Sequence, residues 1–465
     1  MNRARMIFDN EELAIRLWLI LMLIGGIFLS VLIPPWQTPD EYSHLNYIGL
    51  SLKNDALAEN FLQDMELDQN RIRFQYDEKV DESAWEEAIY KAPGYDRLEC
   101  LPKGITPSVL KHLPSAVGIS LGVLFHLPTF WVLELGELFS LLFYIGICWM
   151  AVRIMPYHKE ILLMFMGFPM SLQQAASINY DAVLLPFCFL YIAYIFYMRC
   201  KKDKLGWMDV LRTVLLLVAI TYVKLPYVFM GLLVLLLPKE KIHLKIGRYE
   251  INGECIKKWR IPIAILLIIG VFAGIYVFRS NYWLKLVAGM FAEWRRTLFL
   301  FRATLQNCGK MLLISSVGQF GWLESTLPFA FVVATYLLLV GLAVCGSRKA
   351  GSSGLQLRMR TRIYICMVFI ILSTFVMMSM VNHTVTVVVY GGETMSIDYN
   401  IREALYQISY IGGLQGRYFL PFLPLLFLSI SDCRRNEIGK LWIVDGYMVV
   451  AVTVAVTVLF RRYWA

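Results

Sequence analysis

Three prolines, two carboxylates and a histidine fall within the eleven-residue stretch Pro34-Pro35-Trp36-Gln37-Thr38-Pro39-Asp40-Glu41-Tyr42-Ser43-His44. The prolines fix the backbone, so the side chains that follow are carried on a stiff support. Asp40 or Glu41 could take a proton from a hydroxyl as a general base, and His44 could tune or orient the reacting groups. The plainer reading is a helix start, with Asp40 after Pro39 as N-cap and the acidic side chains complementing the helix dipole.

Further polar residues stand at the ends of apolar runs elsewhere in the chain. They are Asn179, Tyr180 and Asp181; Lys224, within Tyr222-Val223-Lys224-Leu225-Pro226-Tyr227; Trp322 and Glu324; and Gln415, Arg417 and Tyr418. Charges at such depth are costly and usually face a cavity or a partner. Arg417 and Lys224 offer charge-assisted donors, and Trp322 and Tyr418 offer aromatic faces. Each also has a structural explanation: Lys224 and Arg417 as snorkelling cations, Trp322 as an interfacial anchor, Asp181 as a helix cap.

The elements that must position these residues are membrane-spanning helices. The chain has 465 residues, 58% hydrophobic and only 17% charged, too few charges to coat a soluble protein of this length. Apolar runs able to cross about 30 Å of hydrocarbon recur throughout, and their length is helical. About eleven spans are expected, over residues 13–33, 129–152, 161–176, 182–197, 210–222, 226–237, 261–278, 327–345, 363–381, 419–430 and 441–460. The first is too long for a signal peptide and ends in Pro34-Pro35-Trp36, a poor cleavage site, so it is read as a retained helix.

Basic residues fall on alternate loops, at 153–159, 199–204, 239–260, 348–362 and 434–440, which puts those loops and the N-terminus in the cytoplasm. Arg461 and Arg462 then lie outside, against the charge rule. Three larger segments lie outside as well. Residues 34–128 are acidic, with Asp77-Glu78, Asp81-Glu82 and Glu86-Glu87, and read as juxtamembrane helices and loops rather than an independent domain. Within them, 107–127 either lies along the interface or makes a further crossing. Residues 279–326 carry Trp283, Lys285, Trp294, Arg295, Arg296, Arg302 and Lys310, a mixture suited to an interfacial amphipathic helix; the third segment is 382–417.

The net charge of +9 is accounted for by these orientation signals near anionic membrane lipids and calls for no nucleic acid. Nine cysteines show no metal-type spacing; only Cys100 and Cys308 fall in outer segments, where they could form a disulfide. No cofactor is implied, and there is no internal repeat, P-loop, dinucleotide fingerprint or zinc-ligand cluster.

Pro39-Asp40-Glu41 with His44, Asn179-Tyr180-Asp181, Gly321-Trp322-Leu323 and Gln415-Gly416-Arg417-Tyr418-Phe419-Leu420-Pro421 are similar, in order and spacing, to a bacterial membrane-protein family long without an assigned function. More broadly, the acidic motif after the first helix, the large first outer loop and the Arg-Tyr-x-x-Pro element resemble the GT-C superfamily of membrane glycosyltransferases. The resemblance spans nearly the whole chain and implies a single all-α GT-C-like transmembrane domain over residues 1–465. It also implies a polyprenyl-phosphate-linked sugar as donor and a cell-envelope glycan, lipid or protein as acceptor, on the outer face of a bacterial cytoplasmic membrane. Asp40 or Glu41 would be the base, and Arg417 would meet the donor phosphate, work that Lys224 could share. No second Asp-x-Asp motif occurs in the outer loops, which argues against a metal-dependent oligosaccharyltransferase. A transporter or flippase of lipid-linked or anionic solutes is the alternative from another class, although such proteins usually show repeated halves; a scaffold in an envelope-assembly complex is a further one.

Overall fold

The computed structural model describes residues 10–55, 57–64, 79–80, 85–86, 89–200, 202–246, 249–252, 288–345, 357–390, 406, 408–431 and 438–465. The expected span at 261–278, Trp283, Lys285, Arg434, Arg435 and all but Glu86 of the acidic run lie outside these residues.

The chain is dominated by helices, in the order α1 (Glu11–Leu32), α2 (Glu41–Ser51), α3 (Leu57–Asp64), α4 (Arg97–Cys100), α5 (Leu113–Leu124), α6 (Thr129–Ile154), α7 (Lys159–Met166), α8 (Pro169–Ala175), α9 (Asp181–Cys200) and α10 (Trp207–Val223). There follow α11 (Trp294–Val317), α12 (Phe329–Val344), α13 (Leu357–Tyr390), α14 (Pro424–Ile430) and α15 (Ile438–Tyr463), with 3-10 segments at Pro107–Lys111, Leu225–Leu236 and Gly416–Phe419. Two small antiparallel hairpins join β1 (His243–Ile246) to β2 (Tyr249–Asn252) and β3 (Gln319–Phe320) to β4 (Ser325–Thr326).

Among the described residues, five helices are long and apolar enough to cross a membrane: α1, α6, α9, residues Met359–Met378 of α13, and α15. Several other expected spans are shorter or broken, and proline is a principal reason. Pro169 divides the run 161–176 into α7 and α8, since the residue before a proline is driven out of helical geometry. Pro421 and Pro424 leave only a 3-10 turn and the seven-residue α14 where 419–430 was expected. Helix α13 runs on to Tyr390, well into the expected outer segment 382–417.

Helices α7, α8 and α9 form the centre, and α9 is buried along nearly its whole length. Around them α1, α6, α13 and α15 each present one face inward and one outward. Helix α5, about 18 Å long at 1.5 Å per residue, is too short to span. It packs antiparallel on α6 through small residues: Ser115 Oγ lies 2.6 Å from Ser140 Oγ, and a Cβ on Gly118 would meet the Leu135 carbonyl oxygen at 2.2 Å.

Residues 34–128 carry a core of their own beside the main one, built from Trp36, Leu45, Ile48, Phe61, Tyr95 and Ile119. The described helices of this segment are therefore packed against one another. Cys100 and Cys308 are both free thiols, Cys100 within that second core and Cys308 beside a third, around Leu300 and Phe375, so the disulfide does not form. Trp294 and Arg296 belong to α11, whose Leu300 and Leu312 pack on Phe375 and Met378 of α13 while Leu298, Phe299 and Leu305 stay exposed.

The two ends of the bundle have distinct polar chemistry. At one, Glu11 and Glu12 pair with Lys159 (2.6 Å) and Arg153 (2.7 Å), and Lys440 lies 3.9 Å from Glu160. At the other, Trp464 Nε1 donates to the Leu32 carbonyl (3.0 Å) and Arg462 lies 3.4 Å from Glu324. The basic C-terminus that conflicts with the charge rule is thus met by a carboxylate of the β3–β4 turn.

Candidate functional site

The expected residues converge at the end of the bundle where α1 and α15 finish and α9 begins. After α8 the chain turns through 176–180, and the Asn179 side chain accepts hydrogen bonds from the amides of Asp181 (2.7 Å) and Ala182 (3.2 Å). Asn179 is therefore the cap of α9, and the Asp181 side chain is released for other work. It accepts a hydrogen bond from Lys224 Nζ at 2.8 Å. Lys224 is held there by extended backbone at the α10 terminus just before Pro226, with Nζ between the ring faces of Tyr180 (4.8 Å) and Tyr418 (4.6 Å). Burial opposes its charge, but Asp181 and the two tyrosines outweigh it and hold the ammonium above the ordinary lysine range.

Arg417 enters on the 3-10 turn Gly416–Phe419. That turn is pressed on α11: the Gly416 amide donates to Ser315 Oγ at 2.7 Å, and a Cβ there would meet the Leu312 carbonyl oxygen at 2.1 Å. Glycine is required by this approach. The Arg417 side chain is buried, with 8% exposed. Its Nη1 donates to Gln174 Oε1 at 2.8 Å, it lies over the Tyr418 ring at 5.5 Å, and Nη2 is 4.0 Å from Asp40 Oδ2. Its Nε has no hydrogen-bond partner among the described residues.

Asp40 sits at the N-cap position of α2, yet its side chain makes no capping hydrogen bond and its backbone is left-handed, φ 68°. The helix-cap explanation does not describe it. Its side chain is 65% exposed, in contrast to its buried neighbours, and so faces open space beside Arg417. One turn along α2, His44 Nδ1 lies 2.9 Å from His112 Nε2, and the His44 ring meets Tyr180 edge-on at 4.6 Å. Burial, with the neighbouring His112, Arg417 and Lys224, lowers the His44 pKa to about 3; burial likewise lowers that of His112 to about 4. Both rings are neutral at pH 7.

Glu41 turns the other way. Its carboxyl is buried, accepting from the Trp36 amide at 2.9 Å and the Ile178 amide at 3.5 Å, and it bonds to Glu137. Burial raises its pKa to about 7. Glu41, Glu134 and Glu137 line one cavity with Ile33, Trp36 and Ile178, and Ser30 Oγ donates to Glu134 at 2.6 Å. Trp322 and Glu324 lie to the side of the Arg417 cluster. Trp322 Nε1 donates to the Trp36 carbonyl at 3.1 Å, bracing the proline-rich loop. Glu324 is engaged by Arg462 and, at 3.3 Å, by the Tyr463 hydroxyl. Gln415 precedes the Arg417 turn, and its Oε1 is buried without a hydrogen bond.

Gln174, His112, Glu134 and Glu137 are site residues that the sequence did not single out. Glu134 and Glu137, spaced three apart within an apolar run, carried a readable signal, since paired carboxylates on one face of a spanning helix need a reason. Gln174 and His112 carried none. Among the described residues no group of three or more His, Cys, Asp or Glu side chains is arranged to hold a metal ion.

A family model described as "Predicted membrane protein (DUF2142)" matches residues 23–426. The chain belongs to this family. The DUF2142 match covers nearly the whole chain and includes Asp40, Asp181, Lys224 and Arg417; it accords with the five long apolar helices of a multi-pass membrane protein. Comparison with curated proteins gives no match, and comparison with solved structures gives none either.

Proposed function

We propose that this DUF2142 protein is a GT-C-type membrane glycosyltransferase that moves a sugar from a polyprenyl-phosphate-linked donor to a cell-envelope acceptor. The observation that carries this reading is an exposed carboxylate, Asp40, facing a buried and incompletely partnered guanidinium, Arg417, at one end of a helical bundle. A lipid-linked phosphate approaches such a site with its chain along the exposed apolar helix faces and its head at the cluster. The N-terminus and basic loops then face the cytoplasm of a bacterium, and the site faces outward.

In the reaction, Asp40 accepts the proton of an acceptor hydroxyl as that oxygen bonds to the anomeric carbon. The bond from that carbon to the phosphate oxygen breaks on the opposite face, with inversion, and the electron pair leaves on polyprenyl phosphate. Arg417 stabilises the developing charge; removal of one such donor typically costs about 3 kcal/mol of barrier. Lys224, closed in by Asp181 and two tyrosines, sets the local potential and holds Tyr180 and Tyr418 as walls of the site.

The test is transfer from a radiolabelled polyprenyl-phosphate sugar by purified protein. Wild type is expected to turn over, and Asp40→Asn to lose transfer while retaining donor binding. Undiminished turnover in Asp40→Asn removes it as the base.

A further inference from the structure

We infer that Arg417 is a preformed oxyanion site in which Asp40 is the displaceable resting counter-ion and Gln174 the neutral anchor that leaves the cation's charge to the ligand. This rests on the phosphate-binding half of the reading above, and not on sugar transfer.

Besides a hydrogen bond with the Tyr418 side chain, Arg417 has two partners that differ in chemistry and in hold, Gln174 and Asp40. Gln174 is buried, and its Oε1 accepts from Nη1 at 2.8 Å. An amide oxygen fixes the guanidinium plane without neutralising it, whereas a carboxylate there would cancel the charge. Gln174 is itself held in place: its Nε2 lies 3.6 Å from Met170 Sδ, and its main-chain carbonyl accepts from Asn179 Nδ2 at 3.1 Å. The same stretch of chain thus positions both the cap of α9 and the anchor of Arg417. Asp40 is held weakly by comparison. Its 4.0 Å separation from Nη2 exceeds hydrogen-bond distance, and its side chain is 65% exposed.

The remaining donor, Nε, is buried and unpartnered, and leaving a charged group's donor unsatisfied is costly. A tetrahedral oxyanion answers this arrangement. Two of its oxygens can reach Nε and Nη2 as a bidentate pair, with Asp40 swinging outward and Gln174 unmoved. The carboxylate Asp181 adds to the field that favours the Arg417 charge, but its hydrogen bond goes to Lys224 at 2.8 Å. Phosphate binding and release of Asp40 become one event, so the carboxylate is freed when the donor is in place.

The experiment measures ligand binding to full-length protein in detergent, by native mass spectrometry and thermal shift, with three probes: inorganic phosphate, a polyprenyl monophosphate and phosphatidylglycerol. The neutral polyprenol is the control. Removing the competing carboxylate is expected to tighten phosphate binding up to about fivefold in Asp40→Asn, the upper range for an exposed ion pair. Asp40→Gly is expected to do the same, and both residues tolerate the left-handed backbone at this position. Gln174→Glu keeps the shape and adds a buried charge beside Arg417; it is expected to weaken binding more than about tenfold. A residue with a merely structural role would not move affinity in opposite directions in these variants.

The probe that shows this pattern identifies the source of the oxyanion as free phosphate, isoprenoid phosphate or phospholipid headgroup. Unchanged or weaker phosphate binding in both Asp40 variants overturns the inference, as does wild-type affinity in folded Gln174→Glu. If Gln174→Glu does not fold, the exposed Asp40 variants decide alone. Absence of sugar transfer with the binding pattern intact would count against the transferase reading and leave this one standing.

Discussion

Glu41 offers a test of the site's electrostatics that needs no substrate. Burial raises its pKa from 4.5 to about 7, which corresponds to about 3 kcal/mol of preference for the protonated form in the folded chain. The sign follows directly. The folded state binds the proton more tightly than the unfolded one, so the contribution is fully present below pH 4.5 and is lost as pH rises through 7. Glu41→Gln fixes the neutral form: its carbonyl oxygen can still accept from the Trp36 amide, and its NH₂ can donate to Glu137. His44 and His112 act in the opposite sense. Their depressed pKa values, about 3 and about 4, contribute stability that is lost as pH falls below 6.5. The observable is therefore the difference between variant and wild type, not either curve alone. Apparent Tm in detergent from pH 4.5 to 8 should be nearly equal for the two proteins at the acid end. The variant should then gain progressively, approaching about 3 kcal/mol above pH 7. A pH-independent difference, or one that shrinks as pH rises, would refute the assignment of a burial-raised carboxyl to Glu41.

Three other outcomes follow from the same geometry. Arg417→Lys keeps a charge but loses the planar fork that spans Gln174 and an oxyanion, so donor turnover should fall by at least about tenfold in a radiolabelled transfer assay, with donor affinity reduced as well. Lys224→Met leaves Asp181 as a buried unpaired carboxylate and should destabilise the protein by about 3–5 kcal/mol, measured by thermal unfolding; the double variant with Asp181→Asn should recover much of that stability. Glu324→Gln removes the carboxylate that faces the largely buried Arg462 and accepts from the Tyr463 hydroxyl, and should lower apparent Tm by the equivalent of about 3 kcal/mol, with a smaller loss in the double variant Glu324→Gln/Arg462→Gln.

Helix type and rough placement were legible because apolar composition and run length are local properties. The expected spans at 13–33, 129–152, 182–197 and 441–460 reappear as α1, α6, α9 and α15 within a few residues. What composition does not encode is continuity. An apolar run reads the same whether a proline breaks it, as at Pro169, or turns it into a 3-10 segment, as in Leu225–Leu236. The gathering of Asp40, Asp181, Lys224 and Arg417 was foreshadowed by their positions at run ends, since charge at membrane depth demands compensation. Their roles were not. The structural explanation offered for Asp181 was a helix cap, and the fold shows Asn179 capping α9 while Asp181 neutralises Lys224.

The residues that escaped sequence reading show what kind of information was missing. Gln174 is one of two consecutive glutamines in an otherwise apolar run, and neither chemistry nor spacing sets it apart from Gln173. It matters because a broken helix points its amide oxygen at an arginine 243 positions later in the chain. That choice of a neutral partner gives the site its character. Lys224 is balanced by Asp181 at 2.8 Å and Arg462 by Glu324 at 3.4 Å, each a carboxylate as deeply buried as its cation. Arg417 is hydrogen-bonded to an amide and to Tyr418, Asp181 is engaged by Lys224, and the carboxylate that pairs with Arg417 is 4.0 Å away and mostly in the open. A fold that holds Lys224 and Arg462 against buried carboxylates, and gives Arg417 an exposed one at 4.0 Å, keeps that charge in reserve for something that arrives from outside.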